Sequence, residues 1–223
     1  MINTQDGLVP DDEWFSVICH RCVSKVVTNV LYFRKEGTLI ANFGRFCKFE
    51  KNSISVMGKN SFRIAQAKDL SRIVEIYNST IASRMTTADT EPVTVESRQQ
   101  WFDDHNSSKR PLWVIEDESG TIAGWVSFQS FYGRPAYDAT VELSIYIATE
   151  QRGKGLGKTA LQFCMDQAPG LGIKTLLGFI FSHNEPSLRL FKSFGFEEWA
   201  NLPNIAILDG QERGLKILGK RIA

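Results

Sequence analysis

Two stretches of the chain hold residue types that could do chemistry. The first is Gln151-Arg152-Gly153-Lys154-Gly155-Leu156-Gly157-Lys158. A strand-like run leads into it and an amphipathic helix-like run leads out, so its glycines would present backbone N–H groups at the positive end of a helix dipole. That arrangement suits a phosphate or pyrophosphate. The second is Glu142, set between Val141 and Leu143 in the run Thr140-Val141-Glu142-Leu143-Ser144-Ile145-Tyr146-Ile147. A carboxylate carried into such a strand is costly to bury, tends toward a raised pKa, and could serve as a general base directly or through water. An ion pair with Arg or Lys is the competing, purely structural use of a buried Glu.

Three phosphate-binding patterns can be laid over the glycine turn. A Walker A loop needs Gly-x4-Gly-Lys-Ser/Thr; Gly157-Lys158-Thr159 supplies its end, but Arg152 stands where the first glycine belongs. A dinucleotide fingerprint is formally met by Gly155, Gly157 and Ala160, yet the following strand ends Phe179-Ile180-Phe181-Ser182, without the acid that should bind a ribose. The third pattern is Gln/Arg-x-x-Gly-x-Gly/Ala, which residues 151–157 satisfy.

The elements that must position these groups follow from periodicity. Phe62-Arg63-Ile64-Ala65 reads as a short strand, and Leu70, Ile73, Val74, Tyr77 and Ile81 fall on one face of a helix for which Asp69 is the expected cap. A second helix starts at Thr94 and carries Trp101 and Phe102, after a polar linker broken by Pro92. A meander of three strands comes next: residues 112–115, residues 122–128 after the turn Asp117-Glu118-Ser119-Gly120, and residues 140–147. In the last of these Val141, Leu143, Ile145 and Ile147 face one way and Glu142, Ser144 and Tyr146 the other. The glycine turn then opens a helix burying Leu156, Ala160, Leu161, Cys164 and Ala168. Residues 175–181 form a strand apolar on both faces, as a covered central strand would be. Asn184-Glu185-Pro186-Ser187 has the order of a helix start, with Gly195 as its stop, and two strands around 196–200 and 215–218 close the chain.

Composition narrows the field further. The 223 residues allow one main domain, and hydrophobic and charged fractions of 43% and 23% are globular averages. A net charge of +1 argues against nucleic acid or an anionic membrane as a partner. Four cysteines (Cys19, Cys22, Cys47, Cys164) are too few for a disulfide scaffold, and no apolar run resembles a signal peptide or a membrane span, so a cytoplasmic protein with reduced thiols is expected. Cys19-His20-Arg21-Cys22 with Cys47 invites a zinc reading. A second paired motif is missing and His20 is squeezed between the cysteines, so no metal is expected. Residues 1–60 form β-prone runs of no assigned role, and residues 61–223 the main domain; Met57 offers an alternative start before the clean pattern begins.

The third loop pattern, in this order of strands and helices, resembles the acetyl-CoA loop of the GNAT (Gcn5-related) N-acetyltransferase superfamily. Tyr77-Asn78-x-Thr80-Ile81, Thr90-Glu91-Pro92-Val93-Thr94, Trp101-Phe102, Tyr137-Asp138-x-Thr140-Val141-Glu142 and Asn184-x-x-Ser187-x-x-Leu190 are similar to its phosphinothricin acetyltransferase branch. The resemblance covers about three quarters of the chain and implies an α/β (α+β) fold with a mixed, mostly antiparallel sheet flanked by helices. It implies acetyl transfer from acetyl-CoA to the amino group of a small amino-acid-like substrate, no metal, and a homodimer.

Carried over by motif, the resemblance places the pyrophosphate on Arg152, Gly153, Lys154, Gly155, Leu156, Gly157 and Lys158. The pantetheine arm would lie along Ile145, Tyr146 and Ile147, with an N–H near Ile147 polarising the thioester carbonyl. Asn184 and Ser187 would contact the same arm, although capping a helix explains Asn184 by itself. Glu142 is the expected base. For an anionic acceptor, Arg84 and Arg134 are candidate cations, with Tyr132 and Tyr137 as walls. The chain departs from the branch at Phe191, seven residues after Asn184, where a proton donor to the leaving thiolate is common. That departure keeps a CoA-binding module without catalysis as a rival, beside a protein N-terminal acetyltransferase.

Overall fold

The computed structural model describes residues 60–222, together with three short backbone strands in the preceding segment. Two of these, β1 (Phe15–Val17) and β2 (Leu31–Phe33), pair antiparallel within a compact unit formed by residues 1–49. Cys19, His20, Cys22 and Cys47 lie outside the described residues, as does Met57. The second unit, residues 50–223, is built on one eight-stranded sheet.

Its strands are β3 (Ser53–Ser55), β4 (Ser61–Ile64), β5 (Leu112–Glu116), β6 (Ile122–Ser130), β7 (Thr140–Ile147), β8 (Thr175–Phe181), β9 (Glu197–Leu208) and β10 (Gln211–Arg221). They lie in the order β3-β4-β5-β6-β7-β8-β10-β9. Every neighbouring pair is antiparallel except β7 and β8, which run parallel. This is the mixed, mostly antiparallel sheet that the family resemblance implies.

Four helices cover it: α1 (Leu70–Asn78), α2 (Val95–Asp103), α3 (Leu156–Gln167) and α4 (Glu185–Ser193). The two faces of the sheet bury different residue sets. On one, Val126, Phe128, Val141 and Leu143 pack with Leu161 and Phe163 of α3 and Leu188 and Phe191 of α4. On the other, Leu112, Val114 and Trp125 meet Ile73 and Ile76 of α1, with Tyr77, Trp101 and Tyr146 at the margin. The period of two along β7 decides which residues point to which layer. Val141 and Leu143 join the α3–α4 core, which Ile145 and Ile147 flank, and Tyr146 joins the opposite cluster.

Local signals end the helices largely where the sequence implies. Thr94 caps α2 by accepting the Ser97 N–H at 3.1 Å, and Asn184 caps α4 by accepting from Ser187 at 3.2 Å. Asp69 behaves differently from expectation. It closes a 3₁₀ turn ahead of α1 and makes no capping bond to that helix. Its carboxylate accepts instead from the Gln66 N–H at 2.7 Å and from Arg63 at 2.6 Å, because an arginine on the neighbouring strand is a stronger partner than a peptide N–H. The last two strands are also longer than expected. As β9 is a mostly exposed sheet edge, its sequence lacks the apolar alternation that marks a half-buried strand.

Candidate active site

β7 and β8 begin as a parallel pair and then separate. Their register covers Thr140↔Thr175, Val141↔Leu176 and Glu142↔Leu177, although β7 continues to Ile147 and β8 to Phe181. Beyond Glu142 the β8-facing edge of β7 is therefore left open inside the sheet, a place where an extended ligand could add backbone hydrogen bonds. A cleft of about 800 Å³ opens there. It is lined by β7 from Glu142 to Ile147, by Gly178 to Phe181 of β8, by α1, α2 and α4, and by the segment joining α1 to α2.

One end of the cleft meets the glycine turn, where Arg152 and Gly157 reach its wall. Gly153 and Gly155 hold φ of +75° and +84°, a left-handed backbone that side-chain-bearing residues disfavour. Gly155 is also the N-cap of α3. No described residue accepts a hydrogen bond from the N–H of Gly153, Lys154, Gly155, Leu156 or Gly157. A run of free donors at a helix N-terminus, with Arg152, Lys154 and Lys158 beside it, is a cradle for a polyanion. Gly157 serves packing as well, since a Cβ there would lie 3.3 Å from a methyl of Leu190 on α4.

Glu142 lies within the cleft wall, across the strand pair from Gln129. No described residue hydrogen-bonds or ion-pairs with its carboxylate. Burial alone pushes its pKa above the ordinary carboxylate value, because water is removed and no cation replaces it. The same face of β7 carries Ser144 and Tyr146 into the cleft. Tyr146 stacks on Trp125 with ring centroids 4.3 Å apart, and Trp101 meets Trp125 edge-on at 5.5 Å. Tyr77 stands 5.2 Å from Tyr146, and the guanidinium of Arg98 lies 4.5 Å above the Tyr77 ring.

The carboxamide of Asn184 is occupied at both ends. Its oxygen caps α4 and its Nδ2 donates to the Met85 carbonyl at 2.8 Å. Ser187, Leu190 and Phe191 line the cleft from the same helix. Phe191 is buried over Gly178, where a Cβ would come within 2.5 Å of its ring, so glycine in the middle of β8 is what admits the aromatic side chain.

The structure brings Glu142, Ile145, Tyr146, Ile147, Arg152, Gly157, Asn184 and Ser187 to one cleft, with Gly153, Lys154, Gly155, Leu156 and Lys158 on the adjoining turn. Arg84, Tyr132, Arg134 and Tyr137 do not line it. Arg84 turns outward to a bidentate pair with Asp209 at 2.8 and 2.9 Å. Arg134 and Tyr137 border a separate hollow of about 250 Å³ under the loop that joins β6 to β7, and Tyr132 is 77% exposed. Among the cleft residues that sequence reasoning did not single out are Arg98, Trp101, Tyr77, Trp125 and Gln129. One signal could have found the last two. They sit on β6 opposite Tyr146 and Glu142, and the meander alone implies that pairing.

Among the described residues no group of His, Cys, Asp or Glu could hold a metal ion, and no helix is long and apolar enough to cross a membrane. The model of the acetyltransferase (GNAT) family matches residues 73–196, which include the cleft strands, the glycine turn and α4. The chain is 56% identical over 163 residues, 73% of its own length and 99% of the relative's, to YwnH of Bacillus subtilis (strain 168), whose name places it with phosphinothricin acetyltransferases. It is 32% identical over 145 residues, 65% of its length and 84% of the relative's, to the L-methionine sulfoximine/L-methionine sulfone acetyltransferase of Pseudomonas aeruginosa. A phosphinothricin acetyltransferase from Sinorhizobium meliloti, solved with AcCoA, superposes with a TM-score of 0.69 at 27% identity, covering 74% of this chain and 89% of that one. An open strand edge, a phosphate cradle and a family match over the same residues lead to one assignment: the chain belongs to the GNAT acetyltransferase family.

Proposed function

We propose that this enzyme transfers the acetyl group of acetyl-CoA to the primary amine of a small amino-acid acceptor of the phosphinothricin, methionine sulfone or methionine sulfoximine type. The observation that carries the reading is that the polyanion cradle and an unpaired, partly buried carboxylate open into the same cleft. The free N–H groups from Gly153 to Gly157, with Arg152, Lys154 and Lys158, would hold the pyrophosphate. The open edge of β7 at Ile145, Tyr146 and Ile147 would pair with the extended arm, and Ser187 and the backbone at Asn184 would flank it from α4. When bound, acetyl-CoA supplies an activated acyl group as a thioester.

Glu142 receives the proton of the acceptor ammonium, so that the neutral amine can form the new C–N bond as the C–S bond breaks. Its raised pKa makes it a better base than an exposed carboxylate. Phe191 has no proton to give the departing sulfur. A thiol of pKa about 8.5 leaves well enough as thiolate to make that donor dispensable. Arg98, whose Nη2 pairs with Asp89 while its other N–H groups have no described partner, is placed to receive the acceptor's carboxylate. Tyr77, Trp101, Trp125 and Tyr146 would enclose the acceptor's side chain.

The same reading places the enzyme in the cytoplasm and in a homodimer. The exposed Trp199, Ile205 and Ile207 on edge strand β9 support a further contact surface. Thiol release should be measured after mixing the protein with acetyl-CoA and a panel of amino acids that includes phosphinothricin, methionine sulfone and methionine sulfoximine. Turnover of at least one of these, and none of protein N-terminal peptides, is the expected outcome. Tight CoA binding without turnover of any amine would overturn the enzyme reading.

A further inference from the structure

The segment between α1 and α2 forms a wall of the cleft through Ser83, Met85, Thr86, Thr87 and Ala88, yet it has no regular structure beyond a single 3₁₀ turn. Side chains from distant elements fix its course. At its far end Asp89 accepts from the Tyr77 hydroxyl at 2.5 Å and from Arg98 at 2.9 Å. Because the Tyr77 proton goes to Asp89, the contact between Tyr77 and Thr87 requires the Thr87 hydroxyl to donate. Thr87 in turn accepts the Asp89 N–H at 3.2 Å, which closes a ring of hydrogen bonds.

The near end is held by residues far along the chain. His183 and Asn184 meet the carbonyls of Arg84 and Met85, each at 2.8 Å. The Arg84 guanidinium grips the Asp209 carboxylate with Nε and Nη2, and its Nη1 donates to the Thr90 carbonyl at 2.8 Å. Asp209 is the tip of the β9–β10 hairpin, 125 residues away, and that hairpin also lines the cleft, through Ile205 and Leu215. Both partners sit in the left-handed region, Arg84 at φ 54° and Asp209 at φ 50°. Neither is glycine, so the pair joins two turns that each hold a disfavoured backbone.

We propose that Arg84 and Asp209 are positioning residues: their ion pair ties the acceptor wall at 84–89 to the β9–β10 hairpin and thereby sets the enzyme's affinity for the acceptor amino acid. The inference rests on the acetyltransferase reading for its kinetic consequence and on the geometry alone for its structural one. Neither side chain lines the cleft, so the effect must pass through the wall. Substitutions that respect the backbone isolate it, because Asn tolerates a left-handed conformation. In Arg84→Asn and in Asp209→Asn the acceptor KM should rise about fivefold, with kcat and the acetyl-CoA KM nearly unchanged, and the double variant should be no worse than either single. Exchanging the two charges, with Arg84→Asp and Asp209→Arg together, places each residue type at nearly the φ its partner holds and should restore the acceptor KM.

Amide hydrogen exchange at 84–90, measured on the enzyme without substrates, provides a readout independent of activity. It should accelerate in both single variants and not elsewhere in the sheet. Additive effects in the double variant, or unchanged acceptor KM and exchange in both singles, would overturn the proposal. A wild-type enzyme that turns over no amine, with variants that still exchange faster at 84–90, would remove the functional reading and leave the tie standing.

Discussion

At the scale of single residues, Glu142 carries two opposed demands. As the proposed base it must ionise, yet burial raises its pKa and no cation among the described residues offsets that cost. For a group of this kind the stabilising contribution is complete below the ordinary carboxylate pKa. It is lost as pH rises through the raised folded value. Glu142→Gln should therefore lose activity and gain stability together. Its kcat should fall about 100-fold with CoA affinity kept, as expected for removal of a general base. Its melting temperature should exceed that of the wild type at neutral pH, and the difference should vanish in acid, where Glu142 is protonated in both folded and unfolded chains. A variant that is no more stable at neutral pH would show the carboxylate to be well solvated. The acid limb of the wild-type kcat/KM profile should rise with pH through the same ionisation.

Elements of the fold make different demands on glycine. At Gly155 the constraint is backbone conformation: φ is +84° and nothing lies within 4 Å of where a Cβ would stand. Gly155→Ala should cost about 1 kcal/mol through the left-handed backbone alone. It should also raise the acetyl-CoA KM several-fold by turning the N–H groups of the cradle, with the acceptor KM at saturating acetyl-CoA unaffected. Gly178 has an ordinary strand backbone and its constraint is the Phe191 ring, whose nearest carbon would lie 2.5 Å from a new Cβ. Gly178→Ala should cost about 1–3 kcal/mol by overpacking the junction of β8 and α4. The same change made in a Phe191→Leu background should cost less, because the carbon in the way has gone. Urea denaturation of the four proteins checks this, and equal costs in both backgrounds would place the strain elsewhere.

Across the whole molecule, the sheet from β4 onward carries the cleft, the cradle and both core layers, whereas β3 adds one three-residue strand to its edge. A chain starting at Met57 should therefore fold and bind CoA like the full-length protein; insolubility or lost binding would make the first 56 residues integral. The elements themselves were legible in the sequence because their signals are local. Period-two alternation marked β7, helical spacing marked α1 and α3, and Thr94 and Asn184 announced their helices. The cradle was equally legible, since contiguous residues build it and positive φ demands glycine at Gly153 and Gly155. The acceptor side was not. A free cation near the strand mouth is a local guess, and the chain uses Arg84 to grip Asp209 while Arg98, from a different helix, enters the cleft. Pairings between Tyr77 and Asp89, Arg98 and Tyr77, and Arg84 and Asp209 depend on which elements pack together, and periodicity holds no record of that. By itself the sequence determined the order of elements, the glycine turn ahead of α3 and the strand position of Glu142, because short-range sterics and hydrogen bonding set all three. Only the tertiary structure decided that Glu142 stands unpaired in a cleft with aromatic walls and which arginine lines that cleft, because burial and long-range pairing exist only once the layers have closed.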